Sequence, residues 1–124
     1  MTSRRKGSPG AGEPSAGQFG IAWTERARRD LMEIGDFIAR DKPGAARDWV
    51  RSLVEAVDGA ARMPFAGRLV PELRRRDVRE VFRGSYRIVY HVREREIVVL
   101  TVFDGRRLLG SALEQRTRGP AKRH

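Results

Sequence analysis

The chain has no cysteine among its 124 residues, which excludes disulfides and thiolate-held metals. Its two histidines, His91 and His124, do not have metal-ligand spacing, so the sequence implies no metal and no cofactor. No run approaches the ~20 apolar residues of a membrane span, and the basic residues near the N-terminus are not followed by an apolar stretch. A cytoplasmic protein with no membrane partner is the expectation. Acidic residues are also a minority, 16 against 26 lysines and arginines, for a formal net charge of +10.

Half of that excess lies outside the segment that can fold. Residues 1–19 carry a net +2 and residues 111–124 a net +3, which leaves +5 between them. Such a surface attracts an acidic partner, nucleic acid or an acidic protein segment, without choosing between them. Residues 1–18, MTSRRKGSPGAGEPSAGQ, hold too little apolar surface to offset the entropy of ordering, and a disordered basic tail is expected there. Residues 19–110 form the candidate domain, long enough to bury a core. Residues 111–124 read as a basic, polar C-terminal tail.

Nearly all of the β signal falls between Asp77 and Leu109. Three runs rich in β-branched and aromatic residues, Val78–Phe82, Tyr86–Val92 and Ile97–Phe103, are separated by three and four residues, a spacing that joins antiparallel neighbours. In the middle run Tyr86, Ile88, Tyr90 and Val92 alternate with Arg87, Val89 and His91, so one face of the sheet should be apolar and the other charged. Upstream, Phe19–Trp23 has strand character. Thr24 is placed to cap a helix, with Glu25 in the first turn where the helix dipole favours a carboxylate. Ala27, Leu31, Ile34 and Ile38 then recur at helical spacing. Asp41-Lys42-Pro43-Gly44 interrupts the pattern, and Pro43 suits the first position of a second helix. Ala46, Val50, Leu53, Val57 and Ala60 form the second apolar stripe, widened by Trp49 and Val54 and stopped at Pro64. Residues 65–73 read as an irregular link. The resulting expectation is an α+β domain: an N-terminal strand, a helical hairpin on one face of the sheet, then a three-stranded antiparallel meander, in the order β-α-α-β-β-β.

The segments WTERARRDLMEIGDFIARDKPGAA, MPFAGRLVPEL, DVREVFRGSYRIVYHV and VLTVFDGRRLL, in this order and with these gaps, resemble the RelE/ParE superfamily of toxins from type II toxin–antitoxin pairs. The resemblance covers Ile21 to Leu109 and includes two chemistries on one fold. The RelE branch is similar to ribosome-dependent messenger-RNA endoribonucleases, which need a base, an acid and cations around the scissile phosphate. This sequence keeps Arg87 and Arg106 or Arg107 of that set. It has Val78 and Glu80 where a lysine pair is expected, and no Tyr or His follows Arg107 before His124. If the chain is a ribonuclease, Arg87, His91 and Arg107 are its candidate catalytic residues, with the ribosome and messenger RNA as partners.

The succession Arg79-Glu80, Arg87, Arg106-Arg107 resembles the ParE branch more closely. That resemblance implies a poison of DNA gyrase, relieved by a cognate antitoxin, in which Arg79, Arg87, Arg106 and Arg107 contact the target through their planar guanidinium forks. Each arginine has a plainer reading as a solvated surface charge, and Arg79 as a structural ion pair with Glu72, Asp77 or Glu80. His91 has no evident carboxylate partner in the sequence. Tyr86, Tyr90, Trp23 and Trp49 read as packing residues, and Leu108 and Leu109 as either core or antitoxin interface. A remnant that retains only antitoxin binding is a third reading.

Overall fold

The computed structural model describes residues 18–106, 115–117 and 121–122. Strand β1 (Gly20–Thr24) leads directly into helix α1 (Glu25–Asp41) and helix α2 (Pro43–Arg62). A 3₁₀ turn at Pro64–Ala66, a two-residue strand β2 (Arg68–Leu69), and strands β3 (Val78–Arg83), β4 (Tyr86–Arg93), β5 (Glu96–Asp104) and β6 (Ala121–Lys122) complete the order. The local signals act as expected: the Thr24 hydroxyl accepts from the Ala27 amide at 3.0 Å, and Pro43 occupies the first turn of α2. Strands β3, β4 and β5 form the antiparallel meander.

The sheet extends beyond that meander. Its order is β2-β3-β4-β5-β1-β6, with β1 parallel to β5, so the sheet is mixed. A parallel pairing needs a long crossover, and the helical hairpin together with β2, β3 and β4 supplies one. Strands β2 and β6 are not legible as strands in the sequence because two residues carry no periodicity. Strand β6 also lies in the segment read as a C-terminal tail, and Arg116 of that segment packs its guanidinium 5.8 Å from the centre of the Phe103 ring.

The helices bury their apolar stripes against one face of the sheet, where Ala27, Leu53, Val57, Ala60, Ile88, Tyr90, Val92, Ile97, Val99 and Val102 form the main core. Tyr90 is fully buried and donates to the Pro64 carbonyl at 2.7 Å, and burial pushes its phenol pKa upward. The opposite face carries the charge expected of it in Arg87 and His91, and more apolar surface than the alternation alone implied. Val70, Val78, Val89 and Phe103 form a second apolar cluster there, joined by Leu73 and Leu100. The link between β2 and β3 folds over that face and hides it.

Strands β3 and β4 are joined by a two-residue turn with Gly84 at its first position and φ of +60°. A Cβ at Gly84 would also lie 2.8 Å from Trp49 Cη2. Gly84→Ala is therefore expected to lower unfolding stability by about 2 kcal/mol, through left-handed strain and overpacking, as read by thermal denaturation monitored by tryptophan fluorescence.

Candidate functional site

Arg87 lies on the face of β4 turned away from the helices, opposite Phe82 of β3 and Phe103 of β5. Its Nε donates to Glu80 Oε1 at 2.7 Å, and Nη1 and Nη2 donate to the two Glu72 carboxylate oxygens at 2.9 Å. Glu80 has a side chain with no exposure and also receives Arg68 at 2.7 Å. The Arg87 guanidinium stacks over the Phe103 ring at 5.3 Å. Glu72 and Glu80 raise the pKa of Arg87, and hydrogen bonding to Arg87 holds Glu72 below its ordinary value.

Gly105 makes room for this arrangement. A Cβ there would stand 2.7 Å from Arg87 Cδ, and its amide donates to the Ser85 carbonyl at 2.8 Å to close the β4–β5 end. Arg68, Arg87 and Arg106 then line a depression of about 340 Å³. Three carboxylates already serve these arginines: Glu80, Glu72 and Asp104, the last bonded to Arg106 Nη2 at 2.7 Å. The depression is thus a network of matched charges with an exposed arginine at each end.

Of the other candidate residues, the described Arg79 and His91 do not join this network. Arg79 donates to the carbonyls of Arg76, Phe65 and Gly67 and stacks over Phe65, so the ion pairs considered for it do not form. Arg107, Leu108 and Leu109 lie outside the described residues. His91 does have a carboxylate partner: its Nε2 lies 2.7 Å from Asp77 Oδ2. The sequence conceals this pair because the partners, 14 residues apart, meet only when β3 and β4 align. His91 and Arg87 share a face of β4 but stand four residues apart, about 13 Å at the strand rise. Val89 of the second apolar cluster lies between them.

Arg75 chiefly, and His91 after it, hold the Asp77 carboxyl at about 2 from an ordinary 3.8. A carboxylate depressed in the folded state contributes stability above its unfolded pKa and loses it as pH falls through the folded value. Asp77→Asn should therefore make the loss of stability between pH 3.8 and about 2 shallower than in the wild type, as measured by urea melts across that window. Glu72, depressed by Arg87, acts in the same direction.

The comparison with protein families is decisive for the chain as a whole. The model of the ParE toxin of type II toxin-antitoxin systems, parDE, matches residues 21–109. The chain belongs to the ParE toxin family. It is 39% identical over 84 residues to the "Putative toxin Y4kP" of Sinorhizobium fredii, a match covering 66% of this chain and 83% of that protein. The fold of this ParE-family toxin is shared with a chain of the chromosomal ParDE toxin–antitoxin system from P. aeruginosa, at 24% identity and a TM-score of 0.58, covering 70% of this chain and 96% of that one. It is also shared with a chain of the toxin–antitoxin complex RelBE2 from Mycobacterium tuberculosis, at 23% identity and a TM-score of 0.53, covering 74% and 97%.

Two buried acids of this ParE-family chain are not marked as site residues by the sequence. Glu80 reads there as a departure from an expected lysine pair and as one possible partner of Arg79; it is the buried partner of Arg68 and Arg87. Asp30 of α1 is 2% exposed and carries no motif of its own. Its place three residues after Ala27, on the edge of the apolar stripe, is the signal that marks it. Among the described residues no group of three or more His, Asp or Glu side chains converges to hold a metal ion, and no helix is long and apolar enough to cross a membrane.

Proposed function

We propose that this toxin acts without hydrolysis, as a poison of DNA gyrase whose effect a cognate antitoxin relieves. One observation carries the reading: both carboxylates beside Arg87, Glu80 and Glu72, are tied to it as ion pairs, and the histidine is remote from it. The groups that touch Arg87 are two carboxylates and a phenyl ring, while His91 is bonded to Asp77 about 13 Å away along the strand. Both a base and a phosphate-holding cation must reach one scissile phosphate, and this separation does not favour it. The ParE family match supports the same branch. In this reading Arg106 and Arg68, exposed at the ends of the charge network, and Arg79 of β3 meet the target, together with Arg107, the next residue in the sequence. Arg87 positions that surface from beneath.

The competing reading, ribosome-dependent cleavage of messenger RNA, is favoured by the His91–Asp77 pair, since a carboxylate orients a histidine for proton transfer. Expression of the isolated chain separates the two. Blocked supercoiling and trapped cleaved DNA with purified gyrase are expected, with His91→Ala retaining growth arrest within about twofold, because no step in this reading uses that ring. Cleaved messenger RNA, and at least a hundredfold loss of toxicity in a folded His91→Ala chain, would overturn the proposal.

A further inference from the structure

Arg74, Arg75 and Arg76 follow one another in the link between β2 and β3. The link is anchored: Val70 and Leu73 belong to the second apolar cluster, and the Val70 carbonyl accepts from the amides of Leu73 at 3.1 Å and Arg74 at 3.4 Å. Arg74 closes that turn with φ of +52°. A turn that ends in the left-handed region ordinarily ends in glycine, because a Cβ there crowds the following carbonyl. Arginine at this position therefore costs stability, and a strained residue other than glycine on a surface turn points to function.

The surroundings concentrate positive charge. The Val92 amide donates to the Asp77 carbonyl at 2.7 Å, which brings the link to the end of β4 and its turn with β5. Residues 74–79 and 93–96 hold six arginines against three acids, a net +3 of the +5 that the chain carries between its basic ends. Two of those acids are engaged: Asp77 by Arg75 and by His91, each at 2.7 Å, and Glu96 by Arg93 at 4.0 Å. Glu94 lies in the β4–β5 turn. Arg74 and Arg76 are exposed, and among the described residues neither forms an ion pair. Arg79 donates to the Arg76 carbonyl at 2.9 Å and so ties the turn to the surface assigned above to the target.

We propose that the Arg74–Arg76 turn binds the phosphate backbone of duplex DNA, in the poisoned complex the segment that gyrase holds. That the DNA is gyrase's rests on the toxin reading above; the phosphate chemistry rests on the turn. A guanidinium without a carboxylate partner fits a phosphate with its planar fork, and the release of counterions from the duplex drives the contact. An acidic peptide would find charge here but no apolar anchor, since Val70 and Leu73 are turned into the second cluster. A poison that traps one state of an enzyme must bind that state better than the others, and bound DNA is what distinguishes the trapped state from free gyrase.

The test is fluorescence anisotropy of a labelled DNA duplex titrated with the full chain over a range of salt. Arg74→Gly relieves the strained backbone, so its melting temperature should be at or above that of the wild type while its affinity for the duplex falls at least about threefold. Arg74→Gly with Arg76→Ala should bind at least about tenfold more weakly and lower the slope of log affinity against log salt by about 2. Arg28→Ala, an equal loss of charge on an exposed part of α1, should bind as the wild type does. An equal loss in Arg28→Ala, tighter binding of an RNA duplex or of polyglutamate than of the DNA, or a double variant that still traps cleaved DNA on gyrase as the wild type does would each overturn the proposal. A chain that binds DNA through this turn yet leaves gyrase active keeps the DNA site and removes the gyrase reading.

Discussion

Replacing Arg87 by alanine is expected to cost about 3–5 kcal/mol of unfolding stability, a large share of the ~5–15 kcal/mol usual for a domain. The magnitude comes from the groups left behind. Glu80, whose side chain has no exposure, would keep only Arg68, and Glu72 would lose both of its guanidinium bonds. A carboxylate held in the interior without its partner is far more expensive than the intact pair is favourable. Urea denaturation monitored by circular dichroism measures the loss directly. The double variant Arg87→Met with Glu80→Gln should recover much of it, because it removes the uncompensated charge along with its partner. If Arg87→Ala instead remains as stable as the wild type but no longer arrests growth, Arg87 contacts the target itself and the positioning role assigned to it fails. A loss of toxicity in this variant is interpretable only beside its melting curve.

The second large effect is expected at Asp30. Strand β1 pairs with β5 only as far as Val99 before the chain turns into α1, so beyond it β5 has no strand on that side among the described residues. Helix α1 and its cap serve β5 there: Thr24 donates its hydroxyl to the Leu100 carbonyl at 3.0 Å, and Asp30 Oδ2 accepts from the Val102 amide at 3.0 Å and the Thr101 hydroxyl at 2.6 Å. Arg116 reaches the other oxygen of Asp30 at 3.4 Å. Asp30→Ala would strand a buried amide and a buried hydroxyl, each worth about 1–3 kcal/mol when unsatisfied, so a loss of about 2–4 kcal/mol is expected. Asp30→Asn keeps an acceptor for both donors and should lose about 1 kcal/mol, chiefly the charge. Equal losses in the two variants would show that the carboxylate's charge toward Arg116 and Arg26, and not its hydrogen bonds to β5, stabilises this junction.

Several parts of the fold are legible in the sequence because they obey local rules. The α1 cap at Thr24, the α2 start at Pro43 and the three meander strands each occupy the expected residues to within one or two positions. Periodicity places Tyr90 and Ile88 against the helices for the same reason. The glycine of Asp104-Gly105-Arg106 belongs to a wider pattern whose meaning emerges only in three dimensions: Glu80, Arg87 and Gly105 stand on or beside three adjacent strands and form a single packing unit. The motif is visible in one dimension, but the reason for it is contact between its parts.

The candidate arginines show the limit from the other side. Arginine in a strand reads as solvent-facing by habit, and Arg87 at 7% exposure departs from that habit because Glu72 and Glu80 arrive from the link before β3 and from β3 itself. The same distance in sequence hides Asp77 from His91 and the second apolar cluster from the charged face. Composition, capping chemistry and hydrophobic period are properties of short windows, so the sequence by itself determined the absence of disulfides, the helical hairpin, the meander and the resemblance to one toxin superfamily. Which charges are spent on one another and which strand lies parallel beside β5 were decided only by tertiary structure, because each depends on residues that chain closure brings together from separate elements.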